Sequence, residues 1–272
     1  MRLISKKGLE RLVDEQINKE RIDNKNHYRK QILDYSRDLM ALQSQINPHF
    51  LYNSLECIRG LAIIENSPEI AKISENLSNF FRYSINMKQD TVTLREELEN
   101  VKNYINIQQF RFQDKFSIHY IVDDPADTIL DYFIPKLTLQ PLVENALIHG
   151  LKDTLSGGDI KIQIEKQHND ILIHITDNGK GIEQNRLIEI QNALADIELS
   201  QLSSNKRNNG VALLNVHHRL QLLFGYSYGL EVKSAAGLGT RMIVRIPVSL
   251  NIQGDTHGYE RTNSNNKPFA GI

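Results

Sequence analysis

With one cysteine, Cys57, in 272 residues, the chain cannot build an internal disulfide framework. A lone thiol of this kind reads as a small, half-buried core residue in a reducing compartment. An excess of charge of either sign is also missing: 32 Lys and Arg stand against 33 Asp and Glu, a formal net charge of −1. No overall positive field draws in an anionic polymer or membrane, so nucleic acid is not expected as a ligand. No run reaches the ~18 apolar residues that span a bilayer, and the first residues lack the apolar core of a secretory signal. As given, the chain is expected to be soluble and cytoplasmic. Its opening stretch carries Arg2, Lys6, Lys7, Arg11, Lys19, Arg21, Lys25, Arg29 and Lys30. Such a stretch suits either a helix emerging on the cytoplasmic side of a membrane or an ordinary solvated helix face.

What is present is a hydrophobic content of 40%, enough for a real core in one large or two ordinary domains. From about Leu9 to Ile46 there is no proline, and Ile32, Tyr35, Leu39, Leu42 and Ile46 recur at alternating steps of three and four, a short coiled-coil seam. One step further lies His49, but Pro48 interrupts the backbone ladder and leaves its phase open. Ser67-Pro68 caps and opens a second helix with Ile70, Ile73, Leu77, Phe80 and Phe81 at helical spacing, expected to fold back on the first. Thr93 and Glu96 form a capping box for LREELENVKNYINIQQFRF, with Leu94, Leu98, Val101 and Ile105 down one side.

After about Asp114 the pattern changes. FSIHYIV, DIKIQIE, DILIHIT, LEVKS and TRMIVRIPV alternate like half-buried strands, and helical segments lie over Pro135 to Gly150, Glu183 to Asp196 and Gly210 to Phe224. A mixed sheet covered by helices on one face is the expected packing. Beyond Ser249 the polar, Asn-rich tail cannot bury enough apolar surface to order itself.

Several segments carry chemistry. QSQINPHFLYNSLE displays His49 at the start of an amphipathic helix, where an imidazole can receive a phosphoryl group. Histidine, with a reference pKa of about 6.5, is a competent neutral nucleophile, and phosphoryl transfer mainly needs positioning and charge neutralisation. Phe50 follows it where an acid would help; Asn53, one turn on, can fix the tautomer, and Glu56, two turns on, either accepts the proton or is a solvated helix acid. Asp177 in DNGKG follows a strand, where its carboxylate can accept from the exocyclic amine of adenine, although DNGKG alone is also an ordinary turn. In LQPLVENALIHG, Asn145 and His149 lie four residues apart beside Glu144. They are polar groups on an otherwise apolar helix, suited to hydrated Mg²⁺ on ATP phosphates or to simple hydrogen bonding within the fold. Gly210 opens a helix whose free N–H groups suit phosphate, and GLGT places Gly237, Gly239 and Thr240 between two strands, where a plain hairpin is the alternative. His119, His168, His174, His217 and His218 form no ligand set at zinc spacing, so no zinc is expected. The segment from about Glu183 to Asn209, which ends in the polar stretch Leu199 to Asn209 with Lys206 and Arg207, is expected to act as a mobile lid over the phosphates.

In the order NPHFLYN, LQPLVENALIHG, DNGKG, Gly210 and GLGT, the chain resembles sensor histidine kinases of the LytS/YesM-like group over roughly Ala41 to Val248. The resemblance implies an α+β architecture: a signalling helix over 1–40, a helical dimerisation and phosphoacceptor hairpin over 41–115, a GHKL-type (Bergerat) α/β sandwich binding ATP over 116–249, and a disordered tail over 250–272. It implies His49 as phosphoacceptor, Asn145 as the residue on the Mg²⁺ side, Asp177 as adenine reader, and Gly179, Gly181, Gly210, Gly237 and Gly239 as backbone approaches. ATP and Mg²⁺ are the implied cofactors. The implied partners are a second copy, through the hairpin, and a response regulator controlling transcription; a membrane-anchored parent is compatible with the resemblance. Two positions depart from the family pattern: Ala212 adds a methyl where a second glycine is usual, and Glu56 stands where asparagine is common. The rival readings are an ATPase or a serine kinase with the same pocket, and a dimeric scaffold that binds ATP or has lost it.

Overall fold

The computed structural model describes residues 48–85, 90–112, 115–124, 126, 128–152, 154, 156–195 and 211–248. The expected N-terminal seam, Gly210, the polar second half of the expected lid with Lys206 and Arg207, and the tail lie outside the described residues, whereas the first half of that lid segment contains a helix, Gln184–Ala195. By compactness the chain forms two units, 1–85 and 86–272.

In the first unit, α1 (Pro48–Ile64) and α2 (Pro68–Ile85) form an antiparallel pair. Pro68 takes the first helical position, and the Ser67 carbonyl accepts from Ala71 N–H at 3.1 Å while its hydroxyl turns to the Glu65 carbonyl. Tyr52 Oη donates to the Phe81 carbonyl at 3.3 Å and ties the helices together. The residues of α2 that become buried are Ser74, Asn76 and Ser78, whereas Ile70 stays exposed. Cys57, expected in the core, is exposed. It falls on an outward stripe of α1 with Phe50, Ser54, Leu61 and Ile64, at steps of four, three, four and three. Phe50 is 71%, Leu61 62% and Ile64 74% exposed.

The second unit opens with β1 (Thr91–Thr93), which runs into α3 (Leu94–Phe112). The capping box forms as expected: Glu96 N–H donates to Thr93 Oγ1 at 3.2 Å and Glu96 Oε2 accepts from Thr93 N–H at 2.8 Å. Leu94, Leu98, Val101 and Ile105 are all buried. β1 pairs antiparallel with β3 (Phe133–Pro135), and α3 packs on α4 (Leu139–Asn145), so α3 is physically part of the second unit.

The main sheet has the order β2-β4-β5-β7-β6, with β2 (Phe116–Asp123) parallel to β4 (Gly158–Gln167) and the other neighbours antiparallel: β5 (Asp170–Asp177), β7 (Gly239–Pro247) and β6 (Gly229–Ala235). Alternation explains its core. Ile160, Ile162 and Ile164 of β4, Ile171, Ile173 and Ile175 of β5, and Met242, Val244 and Ile246 of β7 are buried, whereas Lys161, Gln163, His174, Arg241 and Arg245 point to the other face. The covering helices α4, α5 (Gln184–Ala195) and α6 (Val211–Phe224) bury Leu142, Val143, Leu187, Leu194, Leu213, Val216 and Leu220. Register then sets the site. Asp177, at the end of β5, stands opposite Thr240 at the start of β7 and continues the buried face of Ile173 and Ile175.

Candidate functional site

Asp177 is buried, 3% exposed, where an ionised carboxylate is unfavourable without donors. Gly179 N–H donates to its Oδ1 at 2.9 Å and the Thr240 backbone N–H also donates. Burial nonetheless wins and raises its pKa above the ordinary carboxylate value, with those two bonds opposing. The backbone around it is packed too closely for side chains. A Cβ on Gly150 would lie 2.6 Å from Asp177 Oδ1, one on Gly179 would run into the Gly150 carbonyl, and one on Gly239, at φ 85°, would run into the Asp177 carbonyl. The three segments are clamped by Lys180 N–H to the Gly150 carbonyl at 3.1 Å and Gly237 N–H to the Lys180 carbonyl at 2.7 Å. Thr240 Oγ1 lies 3.0 Å from Ser234 Oγ, which accepts from Ile182 N–H at 2.9 Å. Gly179, Gly181, Gly237, Gly239, Thr240 and Asp177 therefore meet around one point.

On α4, Asn145 Nδ2 donates to the Pro141 carbonyl at 2.8 Å. A carbonyl only accepts, so this contact fixes the amide and turns Oδ1 away from the helix backbone. Glu144 Oε1 accepts from Gln140 Nε2 at 2.8 Å, within its own helix. Past Asn145 the helix widens into a π turn, Ala146–Gly150, with Leu151 N–H donating to the Ala146 carbonyl at 3.0 Å. This wider winding takes His149, which is exposed, out of the simple α-helical phase with Asn145, and it delivers Gly150 against Asp177.

These residues fit an adenine nucleotide with Mg²⁺. A buried acceptor-only carboxylate is suited to an exocyclic amine, glycine backbone admits close approach, and the Asn145 oxygen is the donor type Mg²⁺ selects. Among the described residues no group of three His, Cys, Asp or Glu gathers as a metal cage.

His49 is exposed on the first turn of α1, and Asn53 Nδ2 stands 3.3 Å from its Nδ1. With Nδ2 toward the ring, the imidazole proton sits on Nε2. A half-turn of the amide puts Oδ1 there instead, which holds the proton on Nδ1 and leaves the Nε2 lone pair outward. Glu56 does not reach back to His49. Its Oε2 pairs with Arg59 at 2.9 Å to Nη2 and 3.0 Å to Nε.

Sequence reasoning missed Gly150, the last residue of LQPLVENALIHG, because only the folded contact with Asp177 shows the need for glycine there. It also missed Asn178, which accepts Asp159 N–H at 2.8 Å and donates to the Gly157 carbonyl at 2.9 Å.

Comparison with known proteins agrees with this geometry. Residues 37–116 match the family described as histidine kinase, and residues 135–250 match the histidine kinase-, DNA gyrase B-, and HSP90-like ATPase family. Sensor histidine kinase YesM of Bacillus subtilis (strain 168) is 38% identical over 218 residues, 80% of this chain and 34% of that protein. Sensor histidine kinase YpdA of Escherichia coli (strain K12) is 37% identical over 212 residues, 77% of this chain and 34% of that protein. Sensor protein LytS of Oceanobacillus iheyensis is 38% identical over 194 residues, 71% of this chain and 32% of that protein. The chain thus spans about a third of the length of the curated relatives it matches. A helical region with the NPHFLYN histidine, joined to a GHKL-type α/β ATPase domain, makes this chain a member of the sensor histidine kinases of the LytS and YesM group.

Proposed function

We propose that the chain uses ATP to phosphorylate its own His49 and passes the phosphoryl group to an aspartate of a response regulator, one that controls transcription. The observation that carries this reading is the buried Asp177 carboxylate in a cradle of glycines, on the same chain as an exposed histidine held by an amide. A nitrogen lone pair of His49 forms the P–N bond as the bond from the γ-phosphorus to the β–γ bridging oxygen breaks, and ADP leaves. Asn53 Oδ1, holding the Nδ1 proton, would keep Nε2 as the nucleophile. Asp177 reads adenine, the glycines admit the nucleotide, and Asn145 Oδ1 stands on the side of the Mg²⁺, which neutralises phosphate charge when bound. The outward stripe Phe50, Ser54, Cys57, Leu61 and Ile64 has the alternating step of a helix seam and suits a second copy, giving a homodimer through the hairpin. The basic opening stretch is of the kind carried by a helix on the cytoplasmic side of a membrane, which supports a membrane-anchored parent.

Incubation with γ-labelled ATP and Mg²⁺ tests the reaction. Label on the protein that is lost in acid and stable in base is the expected result. Acid-stable label would indicate a hydroxyl acceptor, and absence of label with intact ATP binding would indicate a scaffold.

A further inference from the structure

Glu97 of α3 is fully buried. A buried carboxylate persists only when its oxygens are well supplied with donors. Its Oε1 accepts from Leu137 N–H at 2.5 Å, and its Oε2 accepts from Thr138 N–H at 3.0 Å and Leu139 N–H at 2.8 Å. These are the donors at the start of α4. Thr138, the residue at the cap position, makes no side-chain cap bond, because its hydroxyl donates to the Pro135 carbonyl at 2.6 Å. The cap of α4 is thus supplied from another helix.

The contact continues along the two helices. Asn100 Nδ2 donates to Gln140 Oε1 at 2.8 Å, and Gln140 Nε2 donates to Glu144 Oε1 at 2.8 Å. The row therefore ends beside Asn145. At its beginning, Leu137 is held at φ 58°, a conformation unfavourable for leucine. Glu97 holds its N–H, and Arg219 of α6 donates to its carbonyl at 2.8 Å.

We propose that Glu97 is a positioning residue for nucleotide binding. Through the Glu97 cap and the Asn100–Gln140–Glu144 row, α3 sets the axial position and rotation of α4, and with them the direction of Asn145 Oδ1 toward the Mg²⁺-bearing phosphates. The inference rests on the proposed nucleotide reading of Asp177 and Asn145. The adenine end of the pocket is built on β5 and β7 and does not depend on this row.

The test measures, on the whole chain, affinity for a non-hydrolysable ATP analogue with Mg²⁺ and for ADP in EDTA. Glu97→Gln keeps one acceptor oxygen and puts an amide donor against backbone N–H groups. It is expected to weaken binding of the Mg²⁺-loaded analogue about tenfold or more while ADP in EDTA changes less than about threefold. Gln140→Ala breaks the row one turn later, leaves the cap intact, and is expected to show the same split at smaller amplitude. If a thermal melt shows Glu97→Gln unfolded, Gln140→Ala decides alone. Equal weakening of both ligands, or no weakening, in the folded variants overturns the positioning role. Failure of the wild-type chain to bind either ligand sinks the nucleotide reading itself, and the inference with it.

Discussion

Replacing Asp177 by asparagine pulls binding and stability in opposite directions. Burial holds the Asp177 carboxyl above its ordinary value, so its charge opposes folding. The sign follows from linkage: a carboxylate with a raised folded pKa binds its proton more readily in the folded chain, which is favoured at low pH and loses stability as pH rises through that pKa. At neutral pH, asparagine removes this penalty. Its oxygen can still accept from Gly179 N–H, which stands 2.9 Å from Oδ1. Its NH₂, however, replaces the second acceptor, so an adenine amine would meet a donor. One charge-assisted hydrogen bond is lost, ~1.5–3 kcal/mol, or about ten- to a hundredfold in Kd. Calorimetric titration with ATP and GTP, paired with thermal unfolding without nucleotide, reads both effects. ATP should weaken, its preference over GTP should shrink, and the nucleotide-free melting temperature should stay level or rise. Unchanged ATP affinity, or equal wild-type affinity for ATP and GTP, would refute the role given to Asp177. A nucleotide-free melting temperature well below wild type would show that the carboxylate is kept for folding.

His49→Gln should abolish acid-labile labelling with ATP affinity nearly unchanged, as measured by parallel labelling and titration; loss of both would remove His49 from the chemistry. Asn53→Ala should slow labelling about fivefold, the equivalent of one neutral hydrogen bond of ~1 kcal/mol, without altering nucleotide affinity, whereas Asn53→Asp, which only accepts, should restore the rate. Gly179→Ala drives a methyl into the Gly150 backbone, which cannot turn aside as a side chain can, and should lower stability by about 1–3 kcal/mol in denaturant melts and weaken ATP. Burial, with His218 nearby, lowers the His217 pKa, and Leu230 N–H donates to its Nδ1 at 2.9 Å, so the folded chain holds it neutral. Stability should therefore fall as pH drops below about 6.5, where the unfolded imidazole takes up a proton first, and His217→Gln should flatten that part of the melting profile.

The elements with strong local patterns were legible. The isoleucine alternation of β4 and β5 and the Thr93–Glu96 box announce their structures within a few residues, and both form as expected. Legibility ended where partners are distant in sequence. Glu97 reads locally as one more acid on a polar helix face, yet it is buried against Leu137, Thr138 and Leu139. That contact joins α3 to the second compact unit, whereas the resemblance places it with the hairpin. The same holds for Gly150, whose missing side chain matters only because Asp177 arrives beside it. Cys57 misled in the other direction: a general preference of free thiols for the interior gave way to its place on the outward stripe of α1.

DNGKG looks like one motif, but Asp177, Asn178 and Lys180 answer to separate demands. Asp177 is the buried carboxylate, Asn178 ties the loop to Gly157 and to Asp159 at the start of β4, and the Lys180 backbone bonds Gly150 and Gly237. In a saturation library sorted once for cellular abundance and once for nucleotide capture, the loop should come apart. Asn178 variants would vanish in the first sort, and Asp177 variants only in the second.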